Sequence, residues 1–118
     1  MEKPHNKLEV WKQSMELVVS IYDILKQFPK DEHYMFVSQI KRSAVSIPSN
    51  IAEGAARNTK KEFANYLHMA QGSLSELDTQ LEIALRLRYL NNDKYIILNN
   101  NMIAIDKMLT GIIRSQKK

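Results

Sequence analysis

Hydrophobic residues recur at intervals of three and four along most of the chain, which is the spacing of one face of an α-helix. This periodicity predicts four helices, at about residues 7–28, 34–56, 59–90 and 93–115. The third helix is the clearest, because its hydrophobic positions keep a heptad rhythm over three repeats. These positions are Phe63, Leu67, Ala70, Leu74, Leu77, Leu81 and Ala84.

Side chains that can accept amide protons precede three of these helices. Asn6 with Glu9, and Thr59 with Glu62, have the spacing of capping boxes. The Asn-Asn-Asp cluster at residues 91–93 can cap the amides of the fourth helix. We therefore predict helix starts close to each of these groups.

The first predicted helix carries more hydrophobic residues than one packed face needs. A helix in a monomeric bundle uses about three core positions per heptad. The surplus forms a subunit interface in one interpretation, and it widens the core in the other. The main row is Leu8, Trp11, Met15, Val18, Tyr22 and Leu25, and the additional set is Leu17, Ile21, Ile24 and Phe28.

Pro48 interrupts the second predicted helix, in the stretch IKRSAVSIPSNIAEG at residues 40–54. A separate helix starting at Pro48 would have Ile47 as its N-cap, and isoleucine has no side-chain oxygen to accept an amide proton. We therefore predict one helix kinked at Pro48, which the chain leaves through Gly54. The hydrophobic phase continues across the proline and places four residues in the core: Ile40, Ala44, Ile47 and Ile51.

Heptad spacing favours helices that pack at small crossing angles, and short connections make successive helices antiparallel. The sequence thus predicts an all-α protein, an antiparallel up-down-up-down four-helix bundle formed as a single domain by residues 1–118. The chain has no cysteine, which excludes disulfides and thiolate chemistry. It also lacks a signal-peptide core and any run of about 18 apolar residues. We expect a cytoplasmic protein without membrane contact.

Patterns typical of catalysis or metal binding are sparse. Di-iron bundles carry Glu-x-x-His pairs on inward faces, and the spacing from Glu2 to His5 lies in a tail that Pro4 keeps out of a helix. His33 and His68 have no partner at ligand spacing. No Gly-rich phosphate loop or nucleophile elbow occurs. The sequence therefore predicts a non-enzymatic protein without a metal or other cofactor.

The net charge of +4 is distributed in blocks of opposite sign. Residues 33–61 carry +4, residues 62–85 carry −4 and residues 86–118 carry +5. In an up-down-up-down bundle, the chain start, the second connection and the chain end share one pole. Basic residues of these segments therefore converge in a basic pole: Lys3, Lys7, Arg57, Lys60, Lys61, Arg114, Lys117 and Lys118.

A basic pole of this kind can neutralise phosphates without reading bases. A second candidate group is Lys41 and Arg42 in the second helix, where Arg42 shares a face with Ser46 and Ser49. For both groups, the competing interpretation is a solvated surface that keeps the protein soluble. The candidate nucleic-acid-binding residues are Arg57, Lys60, Lys61, Arg114, Lys117, Lys118, Lys41 and Arg42.

Three stretches resemble the four-helix-bundle proteins encoded within intervening sequences of bacterial large-subunit ribosomal RNA genes. They are LEVWKQSMELVVSIY, SQIKRSAVSIPSNIAEG and EFANYLHMAQGSLSELDTQLEIALRL, of which IPSNIAEG is the most specific. The family is also similar to the accessory protein of diversity-generating retroelements, a homopentamer that binds nucleic acid and a reverse transcriptase. The resemblance implies a small homo-oligomer, with a pentamer as the suggested size, and it implies no catalytic residue.

Two functions are consistent with these observations. In the first, the protein is an oligomeric binding protein that contacts RNA or DNA phosphates through the basic pole. In the second, it is a scaffold that binds a partner protein through its apolar surface, while its charge only steers the encounter.

Overall fold

Four α-helices make up most of the computed structural model, which describes residues 2–117. They are α1 (Glu9–Leu25), α2 (Phe36–Ala55), α3 (Lys60–Arg86) and α4 (Asn92–Gln116). Residues 2–117 contain no β-strand, so the all-α prediction is confirmed. No helix of the described part of the chain is long and apolar enough to cross a membrane.

Each helix packs against its neighbours in the chain, and α4 returns to contact α1. Two side-chain pairs set the direction of α2 relative to α3. The hydroxyl of Ser43 donates to Glu76 at 2.9 Å, and the hydroxyls of Ser46 and Ser73 lie 2.8 Å apart. As the residue number rises along α2, the residue number of its partner falls along α3.

The core is a continuous cluster of aliphatic side chains contributed by all four helices. The predicted inward row of α2 is confirmed, since Ile40, Ala44, Ile47 and Ile51 are fully buried. The predicted heptad positions of α3 from Leu67 to Ala84 are also buried. Burial of a large aliphatic side chain stabilises the fold by about 1.5–3 kcal/mol, so this cluster is the main source of stability.

The main hydrophobic row predicted for α1 is confirmed only in part: Leu25 lies in the core, and Leu8, Trp11 and Val18 pack against it partly buried. Val10, Leu17 and Ile21 face the core, whereas Met15 and Tyr22 are 42% and 40% exposed. The inward row includes Ser14, a fully buried polar residue whose hydroxyl donates to the carbonyl of Val10 at 2.7 Å. Because this bond satisfies the hydroxyl within the helix, Ser14 can occupy a core position that the hydrophobic pattern does not reveal.

Two of the three predicted caps are confirmed. The hydroxyl of Thr59 accepts the amide of Glu62 at 3.1 Å, and the side chain of Asn91 accepts the amide of Lys94 at 2.8 Å. The cap predicted at Asn6 is wrong, because Pro4–Lys7 form a 3₁₀ turn and Leu8 stands at the N-cap without a side-chain bond.

Pro48 lies inside α2, which continues from Phe36 to Ala55 as one helix. Pro48 therefore does not start a separate helix, while the predicted kink in the helix axis stays a prediction. Gly54 is buried in the last turn of α2, next to its final residue Ala55, and it has no positive φ angle, so the backbone at the helix exit does not itself require glycine. A Cβ atom at Gly54 would lie 2.6 Å from the Cβ of Tyr66 and 3.0 Å from the ring of Phe63.

The C-terminal end of α3 is a Schellman motif. The amide of Tyr89 donates to the carbonyl of Ala84 at 2.9 Å, and the amide of Arg88 donates to Leu85 at 3.0 Å. Arg88 has a φ angle of 65°, in the left-handed region that glycine usually occupies at this position. The motif ends α3 at Arg86, four residues earlier than the periodicity indicated.

Tyr89 connects this motif to the segment between α1 and α2. Its hydroxyl donates to the carboxylate of Glu32 at 3.0 Å, and its ring packs 5.5 Å from Phe28 and 6.4 Å from Phe36, measured between centroids. The hydrogen bond to Glu32, together with burial, raises the pKa of Tyr89 above its ordinary value. The bond therefore favours the neutral phenol in the folded protein.

Candidate nucleic-acid interface

The segments of the predicted basic pole lie at one end of the bundle. His5 and Trp11 line a concavity together with Pro48 and Ala52, so the start of α1 adjoins the second half of α2. Two further helix-to-helix contacts lie at this end of the molecule. Gly54 contacts Phe63 and Tyr66 at the start of α3, and Val10 of α1 lines a groove with Ile112 and Ser115 of α4.

Arg57 follows the C-terminus of α2 and is held by two neighbouring side chains. Its guanidinium donates to the carboxylate of Glu53 at 3.0 Å and to the hydroxyl of Tyr66 at 2.5 Å. The guanidinium carbon also lies 4.8 Å from the centroid of the Tyr66 ring. Part of its hydrogen-bonding capacity is thus used within the protein, which leaves less of it for a phosphate.

Lys60 and Lys61 are the first two residues of α3, and both are exposed. Within residues 2–117, neither ammonium group forms an ion pair. The N-terminus of a helix has unpaired amides and a partial positive charge, and one amide here is capped by Thr59. The start of α3 therefore adds to the positive potential of the two lysines.

Arg114 lies in the last turn of α4 and Lys117 directly follows the helix, and both side chains are exposed. Neither forms an ion pair with a described residue. Lys118, the remaining candidate at this end, lies outside the described residues. Lys7, by contrast, pairs with Glu2 at 3.6 Å on the surface.

The second candidate group does not form one patch. Lys41 is half-buried, and its ammonium lies 4.8 Å from the centroid of the Tyr22 ring on α1. Arg42 is exposed on α2 and makes no ion pair with a residue in the range 2–117. Because neighbouring positions on a helix point about 100° apart, one side chain turns toward α1 and the other does not.

Hydrophobic side chains line an open groove between α1 and α2, on the surface of the bundle. It consists of two adjoining concavities of about 390 and 460 Å³. The sequence indicated an apolar surplus on α1, but it assigned the surplus to Leu17, Ile21, Ile24 and Phe28, of which Leu17, Ile21 and Phe28 are buried. The residues of this α1–α2 groove include Trp11, Met15, Val18, Val19, Tyr22, Val45, Pro48 and Ala52.

The described residues offer little for chemistry that needs a metal. No group of three or more histidine, aspartate or glutamate side chains in residues 2–117 is arranged to hold a metal ion. Asp78 accepts a hydrogen bond from Tyr95 at 3.4 Å, and burial together with this carboxylate raises the pKa of Tyr95. Both groups are thereby engaged in packing α3 against α4.

Comparison with known proteins assigns the family. The sequence matches the family described as 23S rRNA-intervening sequence protein over residues 6–111. The chain belongs to this family. The resemblance inferred from the sequence motifs is therefore confirmed.

Among solved structures, one neighbour of this 23S rRNA-intervening sequence protein is a protein of unknown function from the S23 ribosomal protein family of Bacteroides thetaiotaomicron VPI-5482. The two share 30% sequence identity, with a TM-score of 0.82, over 89% of this chain and 95% of that chain. Neither description names an enzymatic activity. No curated protein matches the chain.

In this 23S rRNA-intervening sequence protein, the IPSNIAEG stretch lies in the second half of α2 and packs against α3. The amide side chain of Asn50 donates to both the carbonyl and the hydroxyl of Ser46, at 2.8 and 2.9 Å. This arrangement orients the Ser46 hydroxyl toward Ser73 of α3. Gly54 then allows α3 to approach closely at the next turns. The structure thus gives this stretch a packing role.

Proposed function

We propose that this protein is a non-enzymatic, cytoplasmic oligomer that binds RNA or DNA phosphates through its basic pole. The observation that supports the proposal most directly is the pair Lys60 and Lys61, exposed and without ion pairs in residues 2–117 at the N-terminus of α3. Arg114 and Lys117 end the neighbouring helix α4 with two more exposed cations.

Binding of this kind would depend on charge and not on base sequence. Lysine ammonium groups neutralise phosphates and release counterions, so affinity falls steeply as salt rises. Each pole alone offers few contacts. Several poles presented by one oligomer would bind a long nucleic acid with higher avidity, because the second contact is intramolecular.

Fluorescence anisotropy with labelled generic RNA and duplex DNA tests the proposal across a salt series. For the Lys60→Glu/Lys61→Glu variant, we expect weaker binding at low salt. On duplex DNA, its log–log salt slope should fall by about 0.9 for each phosphate that the variant no longer neutralises. Failure of the unaltered protein to bind either nucleic acid at low salt would refute the proposal.

The matched control is Lys30→Glu/Arg86→Glu, which makes the same change in charge with exposed residues outside the basic pole. We expect this variant to retain most of the binding. An equal loss of affinity in the control would mean that net charge, and not the basic pole, governs binding. Arg57→Gln should have a smaller effect than a change at Lys60 or Lys61, because Glu53 and Tyr66 already engage the guanidinium.

The second candidate function is a scaffold that binds a partner protein. The α1–α2 groove favours it, since an open apolar groove of this kind is a common protein contact. Substitutions in the groove separate the two functions. If the protein is a scaffold, a groove variant should no longer capture its partner protein. If the protein binds nucleic acid through the basic pole, the same variant should still bind RNA or DNA.

A further inference from the structure

Another open groove lies between α1 and α4, at the end of the bundle that carries the basic pole. Its volume is about 350 Å³. Val10 is buried at its floor, and Met108 and Ile112 are half-buried and pack against the core. We call it the α1–α4 groove, and its residues are Glu9, Val10, Met108, Gly111, Ile112 and Ser115.

Gly111 keeps one side of the α1–α4 groove open. A Cβ atom there would meet no atom within 4 Å, so the helix backbone itself borders the groove. Glycine is unfavourable inside a helix, and Gly111 has no positive φ angle that would require it. The missing side chain leaves room for a flat ring to lie against the backbone and the aliphatic floor.

Two cations border the α1–α4 groove on its α4 side. Lys107 precedes Gly111 by four residues and Arg114 follows it by three, so all three share one face of the helix. Both side chains are exposed, and neither forms an ion pair within residues 2–117. Asp106, the neighbour of Lys107, accepts a hydrogen bond from Gln71 at 3.2 Å and thus turns toward α3. A phosphate backbone that follows this face would contact both cations and pass beside the groove.

Glu9 is the polar side chain of the α1–α4 groove that can still bind a ligand. The amide of Gln13 donates to one of its carboxylate oxygens at 3.3 Å, and the other oxygen accepts no hydrogen bond within residues 2–117. The Ser115 hydroxyl, by contrast, donates to the carbonyl of Ile112 at 2.7 Å and accepts from Gln116 at 3.0 Å. An ionised carboxylate only accepts hydrogen bonds, so Glu9 favours a ligand N–H and disfavours a ligand carbonyl.

We infer that the α1–α4 groove binds an unpaired nucleobase that carries an amino group, while Lys107 and Arg114 contact the adjoining phosphates. Base recognition here rests on the proposed function and adds to its phosphate contacts. Glu9 would accept from the amino group of cytosine, as acids do in base readout. Uracil has a carbonyl at the same ring position. A base inside a duplex cannot enter the groove, because only unpaired bases can be splayed out of the stack.

Two other occupants agree less well with these residues. An acidic peptide would contact the cations but would bring its carboxylates close to Glu9. A purely apolar segment would cover the floor and leave Lys107 and Arg114 without a partner. A single-stranded nucleic acid supplies anionic phosphates, flat rings and amino donors together.

Fluorescence anisotropy with labelled oligocytidylate, oligouridylate and an RNA duplex of equal length tests this assignment at low salt and neutral pH. The unaltered protein should bind oligocytidylate about three- to ten-fold more tightly than oligouridylate, the usual effect of one hydrogen bond. Glu9→Gln should bring this ratio close to one, because an amide can donate to uracil as well as accept from cytosine. The matched control is Glu16→Gln, the same change two turns further along α1 and outside the groove, which should keep the ratio.

Gly111→Leu fills the α1–α4 groove from a position where a side chain meets open space. We expect it to weaken oligocytidylate binding by at least the same factor and to leave duplex binding unchanged. The matched control is Gly72→Leu on α3, where a Cβ also meets no atom within 4 Å. This control should retain oligocytidylate binding, and circular dichroism checks that both variants are folded.

Equal affinity of the unaltered protein for oligocytidylate and oligouridylate would overturn the assignment and leave phosphate binding by the basic pole intact. An unchanged affinity of Gly111→Leu for oligocytidylate would have the same meaning. A different oligomer size of Gly111→Leu in light scattering would assign the groove to a contact between subunits and would also overturn base binding there. Failure of the unaltered protein to bind any of the three nucleic acids would instead refute the proposed function, and base recognition with it.

Discussion

A Cβ atom at Gly54 of α2 would lie 2.6 Å from the Cβ of Tyr66 on α3, closer than two side chains can approach. Helix propensity alone would make Gly54→Ala stabilising by about 1 kcal/mol. We expect the opposite, a loss of about 1–3 kcal/mol, because α2 and α3 must move apart. Urea unfolding of the variant and the unaltered protein measures the difference.

Gly111→Ala is the control for this prediction. Gly111 is also within a helix, and a Cβ there would meet no atom within 4 Å. The substitution should stabilise the protein by up to about 1 kcal/mol. If Gly54→Ala were equally stabilising, close packing would not be the reason for glycine in the IPSNIAEG stretch.

Arg88 adopts a left-handed conformation at the end of α3, which costs about 1 kcal/mol for a residue with a side chain. Arg88→Gly should therefore raise the free energy of unfolding by about that amount, since the Schellman bonds are retained. Arg88→Ala keeps the unfavourable conformation and should give no such gain. Thermal unfolding monitored by circular dichroism distinguishes the two variants, and equal effects would show that the backbone angle is not responsible.

Pro48 is expected to affect stability and assembly in opposite directions. A proline inside a helix costs about 3 kcal/mol, and Pro48→Ala would recover part of this while losing packing of the buried ring. We expect a monomer more stable by about 1–2 kcal/mol. Pro48 lines the α1–α2 groove, so assembly should weaken. An unchanged oligomer by light scattering would mean that Pro48 does not shape the subunit contact.

The bond between Tyr89 and Glu32 predicts a loss of stability at alkaline pH. Because the folded protein raises the pKa of Tyr89, the neutral phenol is favoured by folding. Its contribution is complete below the unfolded pKa of about 10, and it is lost as pH rises through the higher folded value. Urea unfolding measured at pH 8 and at each higher whole pH value should show this decline in the free energy of unfolding.

Tyr89→Phe should reduce the alkaline decline, because phenylalanine keeps the ring packing and removes the ionisable group. Tyr95→Phe should reduce it further, since burial also raises the pKa of Tyr95. If the stability of Tyr89→Phe fell with rising pH just as that of the unaltered protein does, ionisation of Tyr89 would not be a cause of the alkaline decline.

The accuracy of sequence reasoning differed between α1 and α2. In α2 one hydrophobic row dominates, and the predicted core residues Ile40, Ala44, Ile47 and Ile51 are all buried. In α1 two heptad rows lie side by side, and two residues of the more regular row, Met15 and Tyr22, face outward while Leu25 is buried. The inward row was obscured by Ser14, whose buried hydroxyl is satisfied by the carbonyl of Val10.

Predictions for the candidate nucleic-acid-binding residues were likewise correct for some residues and incomplete for others. The sequence identified Lys60 and Lys61 as cations beside the Thr59 cap, and the capping bond is present. It treated Arg57 as equivalent to them, because a composition count does not reveal that Glu53 and Tyr66 hold its guanidinium. It also grouped Lys41 with Arg42, although Lys41 packs over Tyr22.

The sequence by itself determined the helical class, the number of helices and the residues that cap two of them, because these depend on local spacing and side-chain chemistry. Tertiary structure alone decided which row of α1 is buried, why Gly54 must be glycine and which cations remain unpaired among the described residues. Those properties depend on contacts between residues far apart in the chain, such as Gly54 with Tyr66 and Lys41 with Tyr22. Helical periodicity defines the faces of each helix, and only packing selects the face that meets its neighbours.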